Sequence, residues 1–274
     1  MSTLARLGLV AHPDRPEATD LVAHTVEWCA THGVDAVVLA GDTADAAVGL
    51  DVVLSFGGDG TMLRTVDLVD GLGLPVLGVN CGQMGYLTDV EPRALDDALE
   101  RLQAGDYTVS ERTVLAVAVE SSGPAAGAWT ALNEAVVEKP HPSRLVRCEL
   151  LVNGASFTTY AADGVILATP TGSTAYSFSA GGPIVSPRLA CLLVTPVAPH
   201  MLFGRTLVLD DQDEVALRVI DRPAVLTLDG RELGELEPGA LIRARCGPVP
   251  ARLVTLASRD FHQILKAKFG LADR

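Results

Sequence analysis

The 274-residue chain is poor in aromatic residues, at 4%, and its only lysines are Lys139, Lys266 and Lys268. A core of ordinary size must therefore be built from Ala, Val and Leu, which the 48% hydrophobic content supplies. Positive charge is scarce overall, and the net charge is −13. That argues against a nucleic-acid groove as the main function, because phosphate backbones are bound by clustered basic side chains. It does not exclude a small phosphorylated ligand, which backbone N–H groups can bind locally. No apolar run approaches the length of a bilayer span. The N-terminus has no basic stretch followed by a long apolar segment, so a secretory signal is not expected. The five cysteines, Cys29, Cys81, Cys148, Cys191 and Cys246, are scattered and contain no C-x-x-C. They suggest neither a disulfide framework nor a zinc site, but reduced thiols in a cytoplasmic protein. The six histidines show no metal-ligand spacing with one another. A Walker-A lysine motif, a kinase catalytic loop, a G-x-S-x-G elbow, H-E-x-x-H and G-x-G-x-x-G are all absent.

What the chain does have is glycine in telling places. Residues 57–61 read Gly57-Gly58-Asp59-Gly60-Thr61, directly after the apolar run that ends at Phe56. Glycines remove Cβ from a sharp turn and let backbone N–H groups approach a ligand. Apolar residues at helical spacing follow from Met62, so the turn falls at a helix N-terminus, where free N–H groups and the macrodipole favour phosphate. Within it stands one carboxylate, Asp59. That is a poor choice for simple phosphate binding, and it suits activation of a hydroxyl or holding a metal beside a phosphate. A plain glycine-rich turn capped by Asp59 is an equal reading of these five residues alone.

The first third of the chain alternates strand and helix. Strands are expected near residues 4–10, 35–39, 51–56 and 74–79, with helices over 18–32 and 95–102. Such alternation implies a largely parallel sheet covered on both faces. Beyond about Tyr107 most segments read as strands, including 113–120, 128–137, 147–152, 165–169 and 189–195. The expected fold is thus α/β: an N-terminal α/β domain over 1–105 and a β-rich, sandwich-like domain over 106–257. A closing helix within 258–274 is expected to return to the first domain.

Three further segments carry chemistry. Residues 163–185 join a strand to a turn of small residues and hydroxyls, with Asp163, Thr171, Ser173, Thr174, Ala175 and Tyr176. Small side chains let a flat ligand lie against backbone, and the hydroxyls offer donors and acceptors in several directions. The same stretch also reads as a Ser/Thr-rich loop satisfying its own backbone. Asn133-Glu134 is a polar pair inside an apolar strand, costly if buried without partners. Asn133 suits a base edge and Glu134 suits ribose hydroxyls, but a bulge and a solvated carboxylate fit as well. Residues 80–88 form a second glycine-bearing turn after a parallel strand, on the edge where open parallel sheets bind ligands. Asp229-Gly230 reads as a hairpin turn.

Taken in order, the turn at 57–61, residues 80–88, Asn133-Glu134, residues 163–185 and 195–209, and Asp229-Gly230 resemble the NAD kinase family. Its members phosphorylate the 2′-hydroxyl of the adenosine ribose of NAD. The resemblance covers nearly the whole chain. Gly-Gly-Asp-Gly-Thr alone is shared with diacylglycerol-type lipid kinases and is similar to a phosphofructokinase motif; residues 169–183 are the specific part. The resemblance implies an N-terminal α/β domain, a β-rich C-terminal domain and a site between them. It makes Asp59 the catalytic aspartate and Asn133 with Glu134 the dinucleotide-binding pair. Asp163, Thr174, Ala175 and Tyr176 match further nucleotide contacts. It also implies a divalent metal, magnesium above all, and a homodimer or homotetramer. Ser186 and Thr206 depart from the family pattern, which has His and Pro there, and residues 139–144 look like an insertion.

The reaction these expectations describe is phosphoryl transfer from ATP, or polyphosphate, to NAD. Backbone N–H groups of Gly57, Gly58, Gly60 and Thr61 would hold phosphate oxygens, and Asp59 would orient the acceptor hydroxyl and take its proton. No side chain is assigned as a metal ligand, and neither nucleic acid nor membrane is an expected partner. The rival readings are a lipid or sugar kinase sharing the glycine turn, and a non-catalytic NAD(P)-binding module.

Overall fold

A computed structural model describes residues 4–39, 44–82, 85–142, 144–256 and 261–271. Outside the described residues lie 1–3 of the expected first domain, Gln83 and Met84 of the second glycine-bearing turn, and Ser143 of the insertion-like segment. Residues 258–260 and 272–274 of the expected closing-helix segment lie outside them too.

The chain opens with β1 (Arg6–Ala11), α1 (Pro16–His32), β2 (Asp35–Val38), β3 (Val52–Gly57), α2 (Asp59–Leu68), β4 (Pro75–Asn80), α3 (Leu95–Ala104) and β5 (Thr108–Arg112). Next come β6 (Leu115–Glu120), β7 (Gly127–Ala131), β8 (Glu134–Glu138), β9 (Val146–Val152), β10 (Ala155–Ala162) and β11 (Gly164–Ala168). After a short helix, α4 (Tyr176–Ser179), follow β12 (Cys191–Val197), β13 (Leu207–Asp210), β14 (Val215–Val219), β15 (Ala224–Leu228), β16 (Arg231–Leu236) and β17 (Leu241–Cys246). The chain ends with β18 (Ala251–Thr255) and α5 (Phe261–Lys268). Two compact units result: Met1–Glu111 with Ala251–Arg274, and Arg112–Pro250.

The first unit is a six-stranded sheet in the order β2-β1-β3-β4-β18-β5. The pairs β1–β2, β1–β3, β3–β4 and β4–β18 are parallel. Strands β3 and β4 are buried along their whole length, as strands of a parallel sheet covered on both faces must be. Helix α1 starts with proline in its first turn and stops at Gly33, whose φ of 72° suits a residue without Cβ. Helix α3 buries Leu95, Ala98, Leu99 and Leu102, the spacing of one helical face. Two strands fall across the expected domain boundaries. Both β5 and β18 belong to the first sheet, whereas the sequence reading assigned them to the second domain. A strand that joins a sheet through backbone hydrogen bonds carries no mark in its own composition of which sheet it joins.

The second unit is a sandwich of two six-stranded sheets, β10-β9-β14-β17-β6-β7 and β13-β12-β11-β8-β15-β16. Their pairs are antiparallel. One core joins the sheets, with Leu115, Val117 and Ile242 from one and Val137, Leu167 and Val194 from the other. Strand β6 alternates buried with more open positions, the mark of a sheet with one wet face. Strands β8, β11 and β12 are almost continuously buried. Their second face, with Val136, Ile166, Ala168 and Leu193, packs under Ala180 and Val185.

One strand expectation is corrected here. Residues 128–137 are not one strand but β7 and β8, which lie in different sheets. The chain crosses from sheet to sheet at Leu132-Asn133, so Asn133 sits in a crossover and Glu134 opens a strand.

Candidate active site

In the first unit, β3 delivers Gly57 to the carboxyl end of the parallel sheet, and α2 begins at Asp59 with no side-chain cap. First-turn N–H groups without intrahelical partners face that edge. One of the four expected phosphate-binding N–H groups is not available. Thr61 donates its N–H to Gly58 O at 3.0 Å, and its side chain is buried. Thr61 therefore shapes the turn, and Gly58, Asp59 and Gly60 form its open part. The Asp59 carboxylate joins this turn to the second one: Oδ2 accepts the N–H of Tyr86 at 2.8 Å and Oδ1 that of Leu87 at 3.0 Å. A Cβ on Gly85 would overlap Asp59 Oδ1, so only glycine admits this approach. Each carboxylate oxygen keeps a further lone-pair direction for a substrate hydroxyl. In the same second turn, Asn80 Oδ1 and Thr88 Oγ1 are buried without a hydrogen-bond partner among the described residues.

Two arginines on this edge escaped the sequence reading. Arg15 donates to Cys81 O, and Arg64 donates to Ala11 O at 2.6 Å. Ala11 pairs with Phe56 in register, and Cys81 N–H donates to Gly57 O at 2.9 Å. Both guanidinium groups are thus anchored to strand ends beside the glycine turn. Neither has a carboxylate partner among the described residues. The available signal was position: Arg15 follows β1, and Arg64 lies one turn into α2.

In the second unit the polar residues converge around the crossover. Leu132 O accepts from Thr169 Oγ1 at 2.6 Å, and Asn133 O accepts from Thr169 N at 2.9 Å. Gly172 passes so close to Asn133 O that any side chain there would collide with it. The segment with Thr171, Thr174, Ala175 and Tyr176 is thereby held against Asn133 and Glu134. Ala175 N–H donates to Gly172 O at 2.9 Å, and Thr174 Oγ1 to Thr171 O at 3.3 Å. Thr174 therefore spends its proton within the turn.

Glu134 is 7% exposed, and its Oε2 has no hydrogen-bond partner among the described residues. Burial pushes its carboxyl up to about 8, the nearby Asp229 charge adds to the rise, and the Tyr176 backbone N–H opposes it. Thr171 Oγ1 is likewise buried without a hydrogen-bond partner among the described residues. The Tyr176 phenol is raised by burial and then by Glu138, Asp163 and Glu134, so these carboxylates share one neighbourhood. Asp163 is paired with Lys139, Nζ to Oδ1 2.6 Å, an ion pair the sequence reading did not anticipate. Asp229 also surprises: it turns the β15–β16 hairpin, as its sequence suggests, but its carboxylate reaches back to the crossover.

Comparison with known proteins bears on both units. Residues 41–107 match the family model of the ATP-NAD kinase N-terminal domain, and residues 132–256 that of the ATP-NAD kinase C-terminal domain. The chain is 35% identical over 285 residues to the NAD kinase of Syntrophotalea carbinolica, covering 99% of this chain and 100% of that protein. It is 45% identical over 226 residues to the NAD kinase of Geobacter metallireducens, covering 82% and 80%. Among solved structures, an Archaeoglobus fulgidus NAD kinase in complex with ATP superposes with a TM-score of 0.79 at 26% identity, covering 98% of this chain and 100% of that one. Yeast NADH kinase complexed with NADH gives a TM-score of 0.84 at 22% identity, covering 100% and 90%, and shares the fold.

Proposed function

The chain belongs to the NAD kinase family, and from that premise we infer how its residues share the transfer of a phosphoryl group from ATP to NAD. The enzyme phosphorylates NAD at the 2′-hydroxyl of its adenosine ribose and yields NADP. The match over residues 132–256 sets aside the lipid and sugar kinase readings, which shared only the glycine turn.

The observation that carries the residue assignment is the pair of buried oxygens without hydrogen-bond partners among the described residues, Glu134 Oε2 and Thr171 Oγ1. Buried polar atoms are hydrogen-bonded almost without exception, so two such atoms in one neighbourhood call for a ligand. In this reading Glu134 receives ribose hydroxyls of the dinucleotide and Asn133 meets a base edge. Asp163, Thr171, Thr174, Ala175 and Tyr176 complete the nucleotide contacts.

Phosphoryl transfer needs alignment and neutralised charge more than covalent chemistry. The open N–H groups at Gly58, Asp59 and Gly60, next to Gly57 at the strand end, take phosphate oxygens, and Arg15 and Arg64 supply positive charge beside them. Asp59, fixed by Tyr86 and Leu87 N–H, orients the 2′-hydroxyl and takes its proton. A carboxylate is a weak base for an alcohol, so proton transfer comes late, after most of the bond to the leaving group has broken. In this reading the first unit supplies the base and the phosphate-binding turn, and the second holds the dinucleotide.

Magnesium would be held by the phosphates of ATP and would neutralise their charge. Among the described residues no group of three or more His, Cys, Asp or Glu side chains could hold a metal ion. Magnesium commonly binds through substrate phosphates and retained waters rather than an all-protein cage. Five free thiols, four of them buried, support a reducing compartment such as the cytoplasm. Among the described residues no helix is long and apolar enough to cross a membrane. Exposed Phe157 and Phe203, stacked edge-on at 5.7 Å, together with Leu202, support assembly into a homodimer or homotetramer.

The direct assay incubates the protein with NAD, ATP and magnesium and measures NADP. Turnover is expected, and an arm with polyphosphate in place of ATP defines the donor. Tight NAD binding with no NADP formed from either donor would return the protein to the class of non-catalytic binding modules.

A further inference from the structure

One carboxylate takes every N–H group of the crossover. Asp229 Oδ2 accepts the N–H of Leu132 at 2.7 Å, and Oδ1 accepts those of Asn133 at 2.8 Å and Glu134 at 3.0 Å. In return Asp229 donates its own N–H to Glu134 O at 3.0 Å. With the two bonds from Thr169, all three N–H groups of residues 132–134 and all three carbonyls have partners. No N–H of the crossover is left to offer a ligand. What the crossover presents is the two side chains, with Glu134 Oε2 unpartnered. No hydrogen bond fixes the Asn133 amide among the described residues.

We propose that Asp229 is a positioning residue for the acceptor dinucleotide, acting through the backbone of residues 132–134 to aim Asn133 and Glu134. The inference rests on the reading that these two side chains contact NAD. A hairpin turn by itself does not require a carboxylate here. Asp229 has φ 48° and Gly230 φ 79°, a left-handed pair that asparagine followed by glycine satisfies equally well. What asparagine cannot do is accept three N–H bonds, since one of its two terminal atoms is itself a donor. Charge adds to geometry. The Asp229 carboxylate lies near Glu134 and, after burial, is the second cause that raises the Glu134 carboxyl.

The test follows from that asymmetry. Asp229→Asn preserves the hairpin conformation and the side-chain size but leaves at least one buried N–H of the crossover unsatisfied. It is expected to raise KM for NAD about tenfold, the equivalent of one such bond, with KM for ATP changing less than about twofold on the same scale. A merely structural defect would lower the active fraction, and with it kcat, without separating the two KM values. Combined with Glu134→Ala, Asp229→Asn should add little further loss, because residues acting as one unit are non-additive. If Glu134→Ala raises KM for NAD while Asp229→Asn does not, the positioning role is overturned and the acceptor reading survives. Wild-type kinetics for Glu134→Ala overturns both. Full additivity in the double variant overturns action through the crossover. Should Asp229→Asn fail to fold, amide hydrogen exchange of the wild-type protein decides. Slow exchange at Leu132, Asn133 and Glu134 without NAD is expected, and fast exchange at all three would overturn the proposal.

Discussion

Asp59 and Asp229 stand in different units and are used by their backbone neighbours in a similar way. Each follows a strand, each has glycine at the next position, and each spreads its carboxylate over consecutive N–H groups of a segment distant in sequence. They differ in what those bonds leave over. Asp59 accepts one N–H on each oxygen, opens a ten-residue helix and has glycines at 57, 58, 60 and 85 around it. Asp229 accepts three N–H groups from one short stretch that carries Asn133 and Glu134. A carboxylate held lightly among glycines can still act on a substrate. A carboxylate with three of its lone-pair directions taken by N–H groups of one short stretch fixes above all the segment it holds. The two aspartates thus divide along the line between chemistry and placement, and each variant below tests one side of that line.

The largest effect is expected at Asp59. Asp59→Asn removes the base and, because one terminal atom of asparagine is a donor, also gives up one of the Tyr86 and Leu87 N–H bonds, so kcat should fall on the order of 10²–10⁴-fold. Unchanged kcat with only a raised KM, read from steady-state NADP formation, would move Asp59 to the placement side. Gly85→Ala comes next. Its new Cβ overlaps Asp59 Oδ1, so the carboxylate or the turn must shift. A displacement of that kind costs up to about 10²-fold in kcat. A normal rate in Gly85→Ala would mean that the Asp59 orientation set by Tyr86 and Leu87 does not matter for turnover.

The remaining effect is on stability and concerns Glu134. Burial and the Asp229 charge raise its carboxyl from an ordinary 4.5 to about 8 in the folded protein. Between those values the folded state holds a proton that the unfolded chain has released, so this group's contribution to stability falls as pH rises. Glu134→Gln removes the titration. Urea unfolding of the wild type minus that of Glu134→Gln should lose stability steadily from pH 4.5 to 8. A flat difference would show that Glu134 is not buried as described.

The first unit was legible because strand, glycine and helix periodicity alternate cleanly there. The second was legible in kind and not in detail. Residues 128–137 are apolar but for Thr130, Asn133 and Glu134, and that polar pair, which does stand at the break, reads equally as a bulge within one strand. That break is made by Asp229 and Thr169, which lie far along the chain. Strand β16, Arg-Glu-Leu-Gly-Glu-Leu, went unread because charged edge strands resemble loops in sequence. Asp229-Gly230 was read correctly as a turn, but a turn motif does not show what its carboxylate grasps. Arg15 and Arg64 were unmarked for the same reason: their partners are backbone carbonyls, which sequence does not display.

The division between chemistry and placement is tested most directly by the affinity for NAD, measured by calorimetry on Asp59→Asn and Glu134→Ala side by side. Asp59→Asn should bind NAD within about twofold of the wild type, and Glu134→Ala should bind about tenfold more weakly, a loss of ~1.4 kcal/mol. The reverse order, with Asp59→Asn weakened and Glu134→Ala unchanged, would contradict the account.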